Sequence, residues 1–483
     1  MIDPFGRSPI KRQTRGRPLP EAGLGFFFAI AGIERTKKQR GRRCRRIDHD
    51  GRYYREGRVG SACQPRRGIL VPEPTVNQYE FPNGLVLVAE TMASVQSAAF
   101  SFLLPAGAAY EPEHLGGSAS MLAEWIIRGA GDRDSRELLT ALDNLGVSHG
   151  EGAQTLHTSV FAATLGRNLI PALEIYSDVL RRPHFVDDEI EPIRALALQN
   201  IQGLEDDPGT KVIYELRRRH FPDPWGRPSP GTTEGVRNVT PSDLRAFHAS
   251  NYRPNGSILA VAGSIDFDRL KDAVGRLFGD WEPKTEPSVA VRTVGPSRDH
   301  ILKETKQTQI ALAYPTVTVD HPDYYQARAM IGILGGYSSA RLFTEVREKR
   351  GLCYTVYATY EGLKDRAAVL CYAGTSTDRA QETLDVTLAE INRMGRDGVE
   401  AEELDTMRAG LKSSLIMQQE SSMSRAGSLA SDWFYLGKVR SIDEISSALD
   451  ALTPASVGDF ASKNDTAGMT VLTLGPTPLD QPD

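Results

Sequence analysis

The chain has 483 residues, of which 40% are hydrophobic and 25% are charged. These proportions are typical of a soluble globular protein, and the length allows two or three domains. The net charge of −5 is unevenly distributed, because residues 1–75 contain eighteen Lys or Arg against seven Asp or Glu. That segment therefore carries +11 and the rest of the chain −16.

Residues 1–75 are expected to form a basic, disordered leader, since they lack sustained hydrophobic periodicity. An arginine-rich arm of this kind, with the run 40–46 at its centre, is able to bind nucleic acid or an anionic membrane. A solvated tail, or sequence translated from a start codon set too early, explains it equally well. We expect no nucleic-acid partner.

The apolar run 24–33 is too short to span a bilayer, and no transmembrane segment is expected. Because a basic stretch follows it, the run also has features of a weak signal peptide. The four cysteines form no Cys-x-x-Cys pair, which fits a reducing compartment. We expect a cytoplasmic location, with export to the periplasm as the alternative.

From Asn77 the chain has the pattern of packed protein. The turn Pro82-Asn83-Gly84 precedes a predicted strand, and amphipathic and apolar segments alternate after it. The predicted strands of this half are 85–89, 98–104, 155–164 and 257–263. The predicted helices, after a short one near residues 117–130, are 135–145, 168–180, 187–204 and 267–278.

Segments of the first half recur in the same order about 210 positions later, which indicates a duplicated α+β domain. The paired segments are 115–118 with 334–337, 161–164 with 369–372, and 190–195 with 404–409. A Pro-, Thr- and Ser-rich stretch separates the halves. The predicted division is an N-terminal domain 76–281, a linker 282–298, a C-terminal domain 299–476 and a tail 477–483.

The Gly-rich start and basic-Gly end of the helix near residues 117–130 resemble those of the active-site helix of the inverted zinc-motif metallopeptidases, the family of pitrilysin, insulinase and the mitochondrial processing peptidase. Helix positions i, i+3 and i+4 share one face, so a His-x-x-Glu-His sequence lets two imidazoles hold zinc while the Glu activates water. Here those three positions are Ser120, Ala123 and Glu124. A hydroxyl, a methyl group and one carboxylate do not make a tight zinc pair.

The resemblance covers about residues 77–476. It implies two homologous α+β halves, each a mostly antiparallel sheet with helices packed on one side, forming half of a clamshell. It also implies a third zinc ligand, a Glu on a later helix, at the position of Asn200.

A displaced metal site remains an alternative, although the nine histidines include no pair at metal-ligand spacing. We expect no metal in this chain.

The second half retains another element of the family. The segment 339–354 resembles the family sequence that ends in Arg-Glu-x-x-Gly-Leu-x-Tyr, where an Arg and a Tyr seven residues later hold the peptide substrate beside the zinc of the other half. Arg347 and Tyr354 fit that spacing. We expect a helix capped by Ser338 or Ser339 that ends at Gly351 and leads into a strand 352–360.

Loss of the zinc positions with retention of the Arg and Tyr predicts a non-catalytic subunit of a heteromeric zinc metallopeptidase. Its expected partners are an unfolded peptide substrate and a homologous sibling that carries the zinc. The alternatives are a peptidase with a displaced metal site and a structural scaffold like the core subunits of respiratory complexes that share this fold.

Overall fold

A computed structural model describes residues 75–292, 297–464 and 466–480. Residues 1–74, which comprise nearly all of the predicted basic leader and the apolar run 24–33, lie outside the described residues, as do the last three residues of the predicted tail. Within the described ranges, no helix combines the length and apolar character needed to cross a bilayer.

In each half, the leading strands and helices are followed by a run of five consecutive α-helices and then by one more strand. The strands are β1 (Thr75–Glu80), β2 (Val86–Thr91), β3 (Ser97–Leu104), β4 (Gly129–Ala130), β5 (Arg133–Asp134), β6 (Ser148–Ala153), β7 (Thr158–Leu165), β8 (Ile258–Gly263), β9 (Arg298–Leu302), β10 (Gln307–Thr316), β11 (Cys353–Gly362), β12 (Ala367–Ser376) and β13 (Thr470–Gly475). The first-half helices are α1 (Ser118–Trp125), α2 (Ser135–Asn144), α3 (Leu169–Arg181), α4 (Ile190–Asp206), α5 (Pro208–His220), α6 (Thr233–Asn238), α7 (Pro241–Asn251) and α8 (Phe267–Phe278). The second-half helices are α9 (Tyr324–Ile331), α10 (Ala380–Asp397), α11 (Ala401–Gln418), α12 (Ser422–Leu436), α13 (Ile442–Asp450) and α14 (Pro454–Lys463).

The two large sheets match strand by strand. The first has the order β1-β2-β8-β3-β7-β6 and the second β9-β13-β10-β12-β11, so β1 is the one described strand of these two sheets that lacks a counterpart. Each sheet is antiparallel except for one parallel pair, β2 with β8 and β13 with β9. The matching strands β8 and β13 begin 212 residues apart. The predicted fold of two homologous α+β halves is confirmed.

Apolar side chains explain why helices cover one face of each sheet. In the first half, the sheet residues Phe100 and Phe102 are at most 1% exposed and pack against helix residues such as Tyr176 and Phe278. The second half repeats this arrangement, with β10, β12 and β13 contributing buried residues to a core shared with α9 and α10.

A second layer covers the other face of each sheet, and it comes from the opposite half. Helix α5 belongs to the first half in sequence but packs on β10 and β13, with Val212 and Leu216 fully buried against the second sheet. Helix α12 belongs to the second half and packs on β3 and β8, where Leu429 is fully buried. Each half therefore completes the core of the other, because an apolar sheet face left in water is unfavourable.

One of the three predicted repeat pairs is wrong. Residues 115–118 lead into the start of α1, whereas residues 334–337 lie at the π-helical end of the helix that begins at Tyr324. The other two pairs occupy matching positions, on β7 with β12 and on α4 with α11. The apparent echo arose because Leu-Gly-Gly marks a close backbone approach in both places: a side chain at Gly335 would meet Ala358 at 2.3 Å.

Candidate functional site

The predicted zinc-motif positions lie together on α1. Ser120 donates a 2.7 Å hydrogen bond from Oγ to the carbonyl of Ser229. Ala123 is 2% exposed and belongs to the core. Glu124 is half-buried, and its Oε2 lies 3.8 Å from Arg128 Nη2. Burial, followed by repulsion from Glu151, raises the pKa of Glu124.

A buried carboxylate positions the start of this helix. Glu111 is 5% exposed and accepts hydrogen bonds from the amides of Gly117 (3.0 Å) and Ala119 (2.7 Å). These amides belong to the first turn, whose N–H groups have no partner within the helix. Burial raises the pKa of Glu111 to about 8, although the two amides and Arg227 act in the opposite direction. Sequence periodicity gave no indication of this residue.

These positions do not fit the zinc that the family implies. The Ser120 hydroxyl is committed to a carbonyl, Ala123 has no donor atom, and Asn200 is exposed on α4, which packs against α1. Across the described ranges, no group of three or more His, Cys, Asp or Glu side chains is arranged to hold a metal ion.

The second predicted site lies at the end of a helix that runs from Arg341 to Glu348 and is π-helical from Phe343. The prediction that Ser338 or Ser339 caps it is wrong, since the helix begins at Arg341 and neither serine side chain caps it. The predicted ending is confirmed: Gly351 has a φ of 60°, and its amide bonds to the carbonyl of Arg347 at 3.0 Å.

The structure brings Arg347 and Tyr354 together. The Arg347 guanidinium carbon lies 5.0 Å from the centre of the Tyr354 ring and 4.5 Å from the centre of the Phe343 ring. The cation is therefore held between two aromatic faces, an arrangement that stabilises it electrostatically. Tyr354 is 78% exposed. Phe343 was not predicted, although it lies four residues before Arg347, where side chains on one helix face meet.

Ion pairs fix the helix that carries Arg347. Arg341 is 6% exposed and donates two 2.7 Å hydrogen bonds to the carboxylate of Glu403 on α11. Glu345, also buried, accepts from Lys349 and Arg350, each at 2.7 Å. Bidentate arginine–carboxylate pairs restrict geometry as well as adding energy. Among the described residues, the Arg347 guanidinium has no carboxylate partner and forms no hydrogen bond.

Two matches to protein families cover the two halves. The model described as insulinase, peptidase family M16, matches residues 86–224, and the one described as peptidase M16 inactive domain matches residues 238–411. The chain belongs to the M16 peptidase family.

Relatives match over most of their length. The Bacillus subtilis protein named uncharacterized zinc protease YmxG is 26% identical over 83% of this chain and 98% of its own. A Mycobacterium bovis protein named uncharacterized zinc protease Mb2805c is 28% identical, over 82% and 93% of the two chains.

Solved structures agree in fold. A crystal structure described as a peptidase M16 inactive domain from Pseudomonas fluorescens has a TM-score of 0.77 at 22% identity and covers 84% of this chain and 99% of its own. A protease from Helicobacter pylori gives the same TM-score at 19% identity, over 83% and 100% of the chains.

Proposed function

We propose that this chain is the non-catalytic subunit of a heteromeric zinc metallopeptidase, and that it binds peptide substrate for a homologous sibling that carries the zinc. The observation that supports this most is the state of Arg347. Its guanidinium is packed between Phe343 and Tyr354 but has no acidic partner in the described part of the chain. Arg341, at the start of the same helix, is by contrast paired with Glu403.

The two side chains suit an extended peptide backbone. Arg presents its N–H groups in a planar fork that donates to carbonyl oxygens, and stacking leaves the edge of that plane free. The Tyr354 hydroxyl is able to donate to a carbonyl that gains negative charge during attack. Since Tyr354 is 78% exposed, a second protein surface is able to reach it.

The residues at the zinc-motif positions support the assignment of catalysis to the sibling and of substrate binding to this chain. Ser120, Ala123 and Asn200 offer no ligand set and Glu124 is a single carboxylate, while the helix end around Arg347 is kept in place by partly buried ion pairs. In this proposal the sibling supplies the metal and the water, and this chain supplies the donors that orient the scissile peptide. Zinc is a cofactor of the pair and not of this chain.

The test is steady-state kinetics of the reconstituted pair. Arg347→Ala and Tyr354→Phe should each lower kcat/KM by about 10²–10³-fold, the usual cost of one lost transition-state donor. Arg396→Ala is the matched control, because Arg396 is 74% exposed and pairs only with its neighbour Asp397. Assembly is checked by size-exclusion chromatography with light scattering. Wild-type turnover by both variants in an intact heteromer would favour the scaffold alternative.

A further inference from the structure

An open cleft lies between the start of α5 and the second sheet. Its volume is about 320 Å³, near the lower end of the range for small-ligand sites. Asp207 and Gly209 line it on the side of α5, Gln309 on β10 and Tyr372 on β12 line it on the side of the sheet, and the turn before β10 contributes Lys306. A side chain at Gly209 would meet the Tyr372 hydroxyl at 2.8 Å, so the helix start and the sheet residues face each other closely.

The sheet side of the cleft presents an amide nitrogen without a partner. Gln309 is 4% exposed, and its Oε1 accepts a 2.7 Å hydrogen bond from the Tyr372 hydroxyl. Burial, followed by the charge of Asp207, raises the pKa of Tyr372 to about 12, so the hydroxyl keeps the proton that it donates. Within the described ranges, Gln309 Nε2 donates to no group, and it retains accessible surface. A nearly buried donor of this kind is favourable only if a ligand or water supplies an acceptor.

The cleft also carries one exposed charge of each sign. Asp207 caps α5, where its Oδ1 accepts from the Thr210 amide at 3.1 Å and its Oδ2 from the Thr210 hydroxyl at 2.7 Å. A carboxylate oxygen has two acceptor positions, so each oxygen keeps one for a ligand. Lys306 has no acidic partner in the described part of the chain. The cleft therefore has no net charge and offers both donors and acceptors.

We propose that this cleft binds a primary amide of the peptide, the side chain of a glutamine or an asparagine. The carbonyl of such an amide accepts from Gln309 Nε2, and its NH₂ group donates to Asp207. A carboxylate would lie beside Asp207, whereas an ammonium would lie beside Lys306 and leave Gln309 without an acceptor. This inference rests on the proposed function in taking the ligand to be a peptide.

The cleft lies at the same end of the second sheet as Tyr354. Thr355 pairs with Gly374 on β12, and Gly374 pairs with Gln309 on β10. Gln309 is therefore two inter-strand spacings, or about 10 Å, from the start of β11. An extended peptide covers that distance in about three residues. A peptide held by Arg347 and Tyr354 is thus long enough to place a nearby side chain in the cleft.

The test is calorimetric titration of the isolated chain at pH 7.5 with unstructured peptides about ten residues long, several times the separation of the two sites. Three peptides differ only at one central residue, which is glutamine, glutamate or norleucine. Their ends are blocked with acetyl and N-methylamide groups, and they contain no other Asn, Gln, Asp or Glu. The glutamine peptide should bind about tenfold more tightly than the other two, because it alone satisfies both Gln309 and Asp207.

Two variants separate the contacts. Gln309→Met should lower the affinity for the glutamine peptide about tenfold and leave that for the norleucine peptide unchanged, because one hydrogen bond is lost. Asp207→Asn retains a good helix cap and should raise the affinity for the glutamate peptide, because it removes the like charge. Gln78→Met is the matched control, since Gln78 is exposed on β1 of the other sheet. Circular dichroism checks that each variant is folded, and Asp207→Asn decides the matter if Gln309→Met is not.

Equal affinities for the three peptides, tighter binding of the glutamate or norleucine peptide, or no binding of any of them would overturn the inference. An unchanged preference for glutamine in folded Gln309→Met, or an unchanged affinity for the glutamate peptide in Asp207→Asn, would do the same. These results do not depend on turnover by the pair. A glutamine preference with wild-type turnover of Arg347→Ala would keep the cleft and reject the Arg347 role, and the reverse pattern would reject the cleft alone.

Discussion

The ion pair between Arg425 and Glu90 gives the sharpest test of the packing of helix α12, from the second half, on the sheet of the first half. Arg425 on α12 donates from Nε (2.8 Å) and Nη2 (2.6 Å) to the same oxygen of Glu90 on β2. Their side chains are 10% and 4% exposed. The pair is a buried ionic link between a helix of the second half and the sheet of the first.

Arg425→Met should lower the free energy of unfolding by about 3–5 kcal/mol, because removing one partner leaves the other charge buried and unpaired. The double variant Glu90→Leu with Arg425→Met should recover most of that loss, since an apolar pair also suits this face. Equilibrium urea unfolding followed by tryptophan fluorescence measures both. Arg396→Met, at an exposed pair, should leave stability nearly unchanged. A cost for Arg425→Met below about 1 kcal/mol, the value of a surface pair, would refute the reasoning.

Two further predictions concern acid and a helix end. Burial lowers the pKa of His157, His220 and His248 to about 4. These pKa values lie below the value of about 6.5 for a histidine in the unfolded chain, so the unfolded chain binds protons first as the pH falls. The free energy of unfolding should therefore decrease as the pH drops from 6.5 towards 4. A melting temperature that stays constant over this range would contradict the prediction. Gly351→Ala should lower the free energy of unfolding by about 1 kcal/mol, because φ is 60° there and no atom lies near enough to clash with the added methyl group. It should also reduce turnover by the pair, because it displaces Arg347. Wild-type stability and wild-type turnover would both count against this prediction.

The regular elements of the fold were predictable where hydrophobic period and capping agree. Helix α8 was predicted with the bounds that it has, because Asp266 caps it and its apolar residues recur on one face. Strand β6 was missed: Gly150 and Gly152 interrupt the alternation that identifies a strand. The predicted strand 155–164 begins three residues too early. Residues 154–157 form the turn between β6 and β7, and without β6 that turn was not recognised.

Long-range placement was not predictable from local pattern. An amphipathic period shows that α5 and α12 bury one face, but not that the face belongs to the opposite half. The candidate site also has a part that local spacing predicts and a part that depends on the tertiary fold. The seven-residue spacing predicted that Arg347 and Tyr354 lie close, and they do, whereas Glu111 acquires its role only through burial.

The most direct test of the account is zinc stoichiometry and peptide cleavage, measured on the isolated chain and on its complex with the sibling. The account predicts no stoichiometric zinc and no cleavage for the isolated chain, because Ser120, Ala123, Glu124 and Asn200 supply a single carboxylate where the family site has two histidines and two glutamates. The complex should contain one zinc per heteromer and cleave unfolded peptide. One zinc per isolated chain, together with cleavage that a chelator abolishes, would contradict the account.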